Sequence, residues 1–259
     1  MAVRYAAKPV EAVRNRELEA TSRENWSDSL EAVYETDPEI SAAVLPPPLE
    51  PGPEPLVRLN ISTVTMPGGH VFGAGWFGVQ ARHGDTLGEY PLLMPMSTEQ
   101  ATVGGRETFG EPKKIAKITS QREGDQIHNT VSRMGYTVAE IKGTVVGERD
   151  PEENERSDFY FKLLPSPEGP GMLDGDPFLV ESHKHTRERK AELIDGQVIL
   201  GESPLDPVAD LPVRTLRSIT LCQRATVVDA HTVGTVPAAD VIPYVHQRYD
   251  DLSVLGKRD

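Results

Sequence analysis

Cysteine is almost absent from this chain, since Cys222 is its only one among 259 residues. A single thiol excludes an internal disulfide framework and any zinc site built from several thiolates. The chain also has no run of about 18 apolar residues and does not open with a charged and then apolar leader. We therefore expect no membrane span, no secretory signal and a cytoplasmic location.

Positive charge is scarce as well. The chain has 27 Lys and Arg against 40 Asp and Glu, which gives a formal net charge of -13. Nucleic acids and anionic membranes both need a positive field in their partners, so neither is an expected partner. An anionic substrate would need a local cationic pocket inside this acidic body.

The two-residue period of β-strands recurs through most of the chain. Between residues 56 and 64, apolar side chains alternate with polar ones, which places Arg58, Asn60 and Ser62 on one polar face. Similar runs lie at 71–77, 90–96, 127–134, 136–146, 159–164, 178–185, 190–200 and 218–228. Many short strands at this spacing predict a large antiparallel sheet that is curved or closed.

Helical patterns are few. They lie at 98–108 and at about 238–252, where Pro243 must start, kink or split the helix. Residues 1–30 are charged and sparsely apolar, which suits a short surface helix or a mobile arm. We therefore predict an N-terminal arm over residues 1–30 and one domain over residues 31–259.

Two adjacent lysines stand out in the segment Gly110-Glu111-Pro112-Lys113-Lys114. An amine attacks a ketone only when it is unprotonated, and both desolvation and a nearby positive charge lower the pKa of an amine. Successive side chains on a regular strand point to opposite faces, so both amines reach one cavity only if a turn or bulge intervenes. The pair taken alone equally suits two solvated surface lysines.

A second segment, Gly105-Arg106-Glu107, precedes the lysines, and the two together resemble the signature of the acetoacetate decarboxylase superfamily. Similar stretches follow the same order from about residue 30 to the C-terminus. They are Tyr34-Glu35-Thr36-Asp37, Glu54-Pro55-Leu56-Val57-Arg58, Met134-Gly135-Tyr136, Phe161-Lys162-Leu163-Leu164-Pro165, Asp210-Leu211-Pro212-Val213 and Tyr249-Asp250-Asp251-Leu252.

This resemblance implies a β-rich α+β fold, with a large antiparallel β-cone or barrel, a central cavity and a few flanking helices, assembled as a homo-oligomer. It implies that Lys113 forms a Schiff base with a small keto acid and that Lys114 perturbs the reacting amine. Acetoacetate decarboxylase is itself the known example of an amine activated by a neighbouring cation. Neither a cofactor nor a metal is expected.

Three departures from the decarboxylase pattern bear on the reaction. True decarboxylases carry an arginine early in the first strand and a glutamate on each of two later strands, whereas Ser27, Asn60 and residues 75–77 occupy the corresponding places here. The stretch Asn15-Arg16-Glu17 copies the sequence around the missing arginine but lies too far upstream of Tyr34 to align. We interpret that copy as coincidence.

Superfamily members that lack the same groups are associated with aldolase-dehydratase or hydratase chemistry on pyruvate-like 2-oxo acids. The resemblance therefore places that chemistry ahead of decarboxylation of acetoacetate or another β-keto acid. A non-catalytic ligand-binding barrel is the third alternative, since a fold does not fix a function.

Side chains near the imine would have to move protons and hold the substrate. For proton transfer we predict Glu111 and Tyr249 beside the lysines, although the tyrosine equally suits packing. The predicted substrate-binding residues are Asn60, Gln100, Arg106, Glu107 and Trp76; Arg106 and Glu107 equally suit a pair that braces the lysine loop.

A metal site is the competing possibility on the stretch 181–185. On a strand, Glu181, His183 and His185 would project from one face, within reach of a divalent metal. A further ligand would have to come from elsewhere, such as His128 or His231. Because His-x-His pairs are common on polar strand faces, we predict no metal there.

Overall fold

The structure, a computed structural model, describes residues 3–66 and 68–255. Within these residues a 12-stranded sheet is accompanied by short helices. The strands are β1 (Asn25–Glu35), β2 (Glu50–Pro51), β3 (Leu56–Thr65), β4 (Val71–His83), β5 (Thr86–Met96), β6 (Lys113–Ile115), β7 (Lys117–Glu123), β8 (Gln126–Arg133), β9 (Tyr136–Arg149), β10 (Glu153–Lys162), β11 (Phe178–Leu200) and β12 (Thr215–Thr235). The α-helices are α1 (Arg16–Thr21), α2 (Pro38–Ala43), α3 (Glu99–Phe109) and α4 (Ala238–Val241), and 3-10 helices cover Val10–Ala12, Val208–Asp210, Ile242–Gln247 and Leu252–Leu255.

Seven of the strands close into a barrel. Their order is β10-β5-β4-β3-β1-β12-β11, and β11 pairs back onto β10. All neighbours in this ring are antiparallel except β5 and β10, which are parallel. The second half of β11 continues into an antiparallel extension formed by β9, β8 and β7. The predicted β-rich barrel with flanking helices is confirmed.

The two faces of the ring differ in chemistry. On β3, Val57 and Ile61 belong to the main hydrophobic core, while Arg58, Asn60 and Ser62 form the predicted polar face. Charged side chains from β1, β3, β5, β10, β11 and β12 meet on that polar face. It is therefore the interior of the barrel, and the main apolar core lies outside the ring.

Several elements differ from their predicted bounds. The predicted strands 178–185 and 190–200 form one strand, β11, whose register shifts between Glu188 and Lys190. The C-terminal helix is split into α4 and 3-10 turns, with Pro243 in the second piece. Strand β1 begins at Asn25, so it crosses the boundary predicted at residue 30.

The helix predicted at 98–108 is confirmed as α3. The hydroxyl of Thr98 caps its first turn by accepting from the amide of Ala101. Gly110 ends the helix with a φ of 85°, a left-handed conformation that favours glycine, and it turns the chain towards the lysines. No helix in the described part of the chain is long and apolar enough to cross a membrane.

Candidate active site

The two lysines begin strand β6, which pairs in parallel with the end of β5. Lys113 is in register with Met94, and Lys114 is in register with Pro95. Because successive side chains leave a strand on opposite faces, the two amines enter different surroundings. Lys113 lies on the barrel-interior side and Lys114 on the side of the main core. Lys113 is 8% exposed and Lys114 is 7% exposed, so neither is a solvated surface lysine.

The amine of Lys113 lies between two carboxyl groups. Its Nζ is 2.7 Å from Oε2 of Glu111 and 3.6 Å from Oε1 of Glu17, which comes from α1. Burial raises the pKa of Glu17; the charge of Lys113 opposes this shift and that of Glu111 adds to it, so the pKa stays above its ordinary value. A buried amine beside two acid–base groups is suited to carbonyl chemistry.

Two consecutive glycines of α3 leave the space that these groups occupy. A Cβ on Gly105 would collide with Oε2 of Glu111 and with Nζ of Lys113, and a Cβ on Gly104 would collide with the carboxylate of Glu17. Glycine inside a helix costs about 1 kcal/mol relative to alanine. The helix therefore contains two unfavourable residues at the points where the site needs room.

Arg106 holds the lysine strand by its backbone. Its Nη1 donates to the carbonyl of Lys113 at 2.9 Å and to the carbonyl of Arg248 at 3.4 Å, and its guanidinium lies 5.1 Å from the ring of Tyr249. Arg248 is buried and donates in turn to the carbonyls of Gly110 and Arg106. The C-terminal segment thus braces the loop, and Tyr249 contacts the brace.

A network of opposite charges lines the barrel interior. Arg58 binds Glu89 at 2.6 Å and Glu31 at 3.3 Å, and Arg224 binds Glu31 at 2.9 Å. The network contains four cations and three carboxylates. The members are Arg58, Arg156, Lys184 and Arg224, with Glu31, Glu89 and Asp158. This excess of positive charge is the kind of local region that an anionic substrate would need.

Trp76 connects this network to the lysine. Nζ of Lys184 lies 4.4 Å and the guanidinium of Arg58 lies 4.6 Å from the centre of its ring. Trp76 packs in one buried cluster with Met94, the register partner of Lys113, and pairs across the strands with Asn60. Nε1 of Trp76 and Nδ2 of Asn60 are buried and have no hydrogen-bond partner among the described residues. Both N–H groups can therefore donate to a ligand.

Tyr160 lies beside the same groups. Its hydroxyl donates to Oδ2 of Asp158 at 3.3 Å. Burial raises the pKa of Tyr160 well above its ordinary value, and the charges of Asp158 and Glu111 add to the shift. The phenol is therefore a protonated donor near the carboxylate that binds Lys113.

Lys114 occupies a separate charged cluster. Its Nζ lies 2.9 Å from Oδ1 of Asp206 and 3.0 Å from Oδ1 of Asp250, and Arg133 binds the same two aspartates. Lys114 also borders an apolar cavity of about 380 Å³ that lies against the main core. The surroundings of Lys114 are thus two aspartates on the far side of β6 from the Lys113 amine.

The other predicted residues lie further out. Gln100 and Glu107 are exposed on α3 and do not join the cluster around Lys113. His183 and His185 are half exposed beside Glu155, at 3.4 and 3.7 Å. The described residues contain no group of three or more His, Cys, Asp or Glu that could hold a metal.

Sequence reasoning missed Glu17 and Lys184. The signal for Glu17 was present in the stretch Asn15-Arg16-Glu17, which fails as an alignment but brings a carboxylate to Lys113 through α1. The alternation at 181–185 separates two faces, and the one that enters the barrel carries Ser182 and Lys184. In the sequence, only the histidine face stands out, because its side chains are possible metal ligands.

A family model and the curated relatives of this chain agree on the family that it resembles. The family model for acetoacetate decarboxylase matches residues 8–235. Acetoacetate decarboxylase 1 of Bradyrhizobium diazoefficiens is 30% identical over 202 residues, covering 71% of this chain and 75% of that protein.

Solved structures share the fold. The acetoacetate decarboxylase of Legionella pneumophila superposes with a TM-score of 0.71 at 20% identity, covering 83% of this chain and 88% of that one. The enduracididine biosynthesis enzyme MppR complexed with pyruvate has a TM-score of 0.67 at 16% identity, with coverages of 84% and 90%.

Proposed function

Because the chain belongs to the acetoacetate decarboxylase family, we propose that it is a Schiff-base lyase in which Lys113 forms an imine with a small 2-oxo acid. The reaction that fits best is aldolase-dehydratase or hydratase chemistry on a pyruvate-like substrate. The observation that carries this proposal is the buried Lys113 amine, 2.7 Å from Glu111 and 3.6 Å from Glu17.

The chemistry begins when the unprotonated Nζ attacks the ketone carbon. Protonation of the carbinolamine hydroxyl lets water leave, and the protonated imine that remains withdraws electrons from the adjacent carbon. A proton can then leave that carbon, and the resulting enamine adds to the carbonyl carbon of an aldehyde. Loss of a further proton and of the new hydroxyl group completes a dehydration, and hydrolysis of the imine returns the lysine.

Two features support the 2-oxo acid over a β-keto acid. Aldol addition and dehydration need repeated proton transfers beside the imine, and two carboxyl groups border the amine. MppR has been solved with the condensation product of pyruvate and imidazole 4-carboxaldehyde, which supports carbon–carbon bond formation on this fold.

The interior cations supply a place for the substrate carboxylate. Lys184 and Arg58 lie over Trp76, next to the apolar cluster that contains Met94. A short keto acid bound to Lys113 could extend its carboxylate towards them and accept from Nε1 of Trp76 and Nδ2 of Asn60. In this proposal Arg106 acts through the backbone of Lys113, and Gln100 and Glu107 do not contact the substrate.

Decarboxylation of acetoacetate is the second candidate. It is favoured by the names of the relatives that are about 30% identical. Asn60 argues against it, because the resemblance expects a glutamate there. Both reactions share the imine, so one experiment separates them.

The test is reductive trapping. The protein is incubated with pyruvate, or separately with acetoacetate, in the presence of cyanoborohydride, followed by intact mass measurement and peptide mapping. A three-carbon acid retained from pyruvate supports the aldolase-type reaction, while an acetone-sized remnant from acetoacetate supports decarboxylation. Lys117→Ala, which removes an exposed lysine four residues away, is the matched control for Lys113→Ala.

Failure of both substrates to label the wild-type protein would refute the proposal.

Two further proposals are that the protein is a homo-oligomer and that it is cytoplasmic. Light scattering of the purified protein tests the first, and fractionation of the source cells tests the second. Monomeric protein, or protein recovered outside the cytoplasm, would refute them separately.

A further inference from the structure

Helix α1 lies outside the barrel and brings one functional group to Lys113. Glu17 is its second residue, and its carboxylate approaches Nζ of Lys113 to 3.6 Å. Where the decarboxylase pattern expects two strand glutamates, this chain has Asn60 and residues 75–77. We propose that Glu17 replaces those glutamates as the acid and base that moves protons between Lys113 and its substrate; this role rests on the proposed imine chemistry.

The position of Glu17 is built by several independent contacts. The side chain of Asn15 caps α1 by accepting from the amide of Leu18 at 3.0 Å, and it accepts from the hydroxyl of Thr108 on α3 at 3.4 Å. At the other end of the helix, Asn25 donates to the carbonyl of Ala20 at 2.8 Å and thereby ties α1 to β1. The helix is therefore fixed to both α3 and the barrel.

Gly104 is the second observation that points to a placed group. A Cβ at this position would collide with the carboxylate of Glu17, as a Cβ at Gly105 would with Glu111 and Lys113. Two adjacent residues of one helix thus make room for an amine and for the two carboxyl groups that contact it. Nothing in helix formation itself favours two consecutive glycines.

Glu17 has a chemical property that suits it to begin the cycle. Its raised pKa, caused mainly by burial, increases the fraction of protonated carboxyl near neutral pH. Glu111 lies closer to the amine and can hold the proton that the nitrogen loses. The charge of Glu111 also acts on two further titratable groups, Tyr160 and Lys184.

The proton balance can be followed from the attack on the ketone to the enamine. Nζ forms a bond to the ketone carbon while the carbonyl oxygen takes the proton of Glu17, which becomes a carboxylate. Glu111 takes a proton from the nitrogen and returns it to the hydroxyl, so the C–O bond breaks and water leaves. The protonated imine then loses a proton from the adjacent carbon to Glu17, which is restored to its acid form beside an enamine.

The experiment follows deuterium exchange into the methyl group of pyruvate by proton NMR in D2O. This exchange requires the imine and the enamine but needs no second substrate. Glu17→Gln should slow exchange by roughly 100-fold or more, the usual contribution of a placed acid–base group. It should still yield a borohydride-trapped adduct on Lys113 after long incubation.

Matched variants separate position from charge. Glu11→Gln removes the same charge from an exposed residue of the same N-terminal segment and should exchange at the wild-type rate. Gly104→Ala keeps Glu17 but displaces it and should slow exchange as well. Glu17→Asp keeps the acid on a shorter arm and should recover part of the rate, which a purely structural role would not explain.

The outcomes distinguish the imine chemistry from the role of Glu17 within it. A wild-type protein that neither exchanges nor traps pyruvate refutes the imine proposal and this role with it. A wild-type protein that does both, together with Glu17→Gln exchanging at the wild-type rate, refutes this role alone. Equal losses in Glu11→Gln and Glu17→Gln would also overturn it, because the effect would then follow charge and not position.

Discussion

Replacing Gly105 with alanine tests whether the space beside α3 is what brings Lys113 and Glu111 together. The added Cβ would collide with Oε2 of Glu111 and with Nζ of Lys113, and it would lie 2.7 Å from Cδ of Lys113. Real Cβ atoms keep at least 3.0 Å from such neighbours. One of the two side chains must therefore retreat, and their 2.7 Å contact must break.

The expected effect on activity is much larger than the effect on stability. A displacement of about 1 Å at a reacting group can cost roughly 100-fold in rate. The helix gains about 1 kcal/mol from the loss of a glycine, while the forced repacking costs about 1–3 kcal/mol. The two opposing terms leave a net loss of about 0–2 kcal/mol, so the melting temperature should fall by no more than about 8 °C, at roughly 2–4 °C per kcal/mol.

The assay pairs pyruvate methyl exchange with a thermal melt of the same sample. Val103→Ala is the control, because Val103 is 49% exposed on the same helix and its replacement changes helix propensity without reaching the site. A Gly105→Ala variant that exchanges at the wild-type rate would show that this space is not what brings Lys113 and Glu111 together. A large fall in melting temperature would mean that any loss of exchange reflects unfolding of the protein.

Replacing Lys114, Glu31 or Glu17 should change stability in a direction set by the charges around each side chain. Lys114→Met removes a buried partner of two aspartates and should cost about 3–5 kcal/mol of stability while leaving the trapped adduct on Lys113. A thermal melt checks the stability, and peptide mapping checks the adduct. Loss of the adduct in folded protein would contradict the separation of the two lysines. Burial raises the pKa of Glu31, but the charges of Arg224 and Arg58 outweigh it and lower the pKa to about 2. Since a lowered carboxyl pKa stabilises the fold above the unfolded pKa, Glu31→Gln should be less stable than wild type at pH 7 by roughly 3 kcal/mol. Urea titrations should show the gap closing between about pH 4.5 and pH 2. The pKa of Glu17 is raised in the fold, so ionisation of its carboxyl destabilises the folded protein. The melting temperature of Glu17→Gln should therefore exceed that of wild type at pH 7 and approach it towards pH 4. A variant less stable than wild type at pH 7 would contradict this.

Much of the fold was predictable because strand periodicity is a local property. The polar alternation of Arg58, Asn60 and Ser62 identified one face of β3, and that face lines the barrel interior. The extent of β11 was not predictable, because the register shift near Glu188 lets one strand continue through a stretch that reads as two. The boundary predicted at residue 30 lies inside β1, because β1 begins at Asn25, within the charged stretch.

The site could be predicted only in part. Lys113 and Glu111 are neighbours in sequence, so a short motif locates both. Glu17 reaches the amine from 96 positions upstream through the packing of α1 on α3, which no local pattern encodes. The placement of Lys184 inside the barrel depends on which face of β11 turns inward, and this is set by the closure of the ring.

The central claim is that Lys113, and not its neighbour, forms the imine. The most direct measurement is fragmentation mass spectrometry of the peptide that contains both lysines, after pyruvate and cyanoborohydride treatment of wild type, Lys113→Ala and Lys114→Met. We expect a modification only on Lys113, absent from Lys113→Ala and retained in Lys114→Met. An adduct on Lys114, or one that persists when Lys113 is replaced, would show that Lys113 does not form the imine.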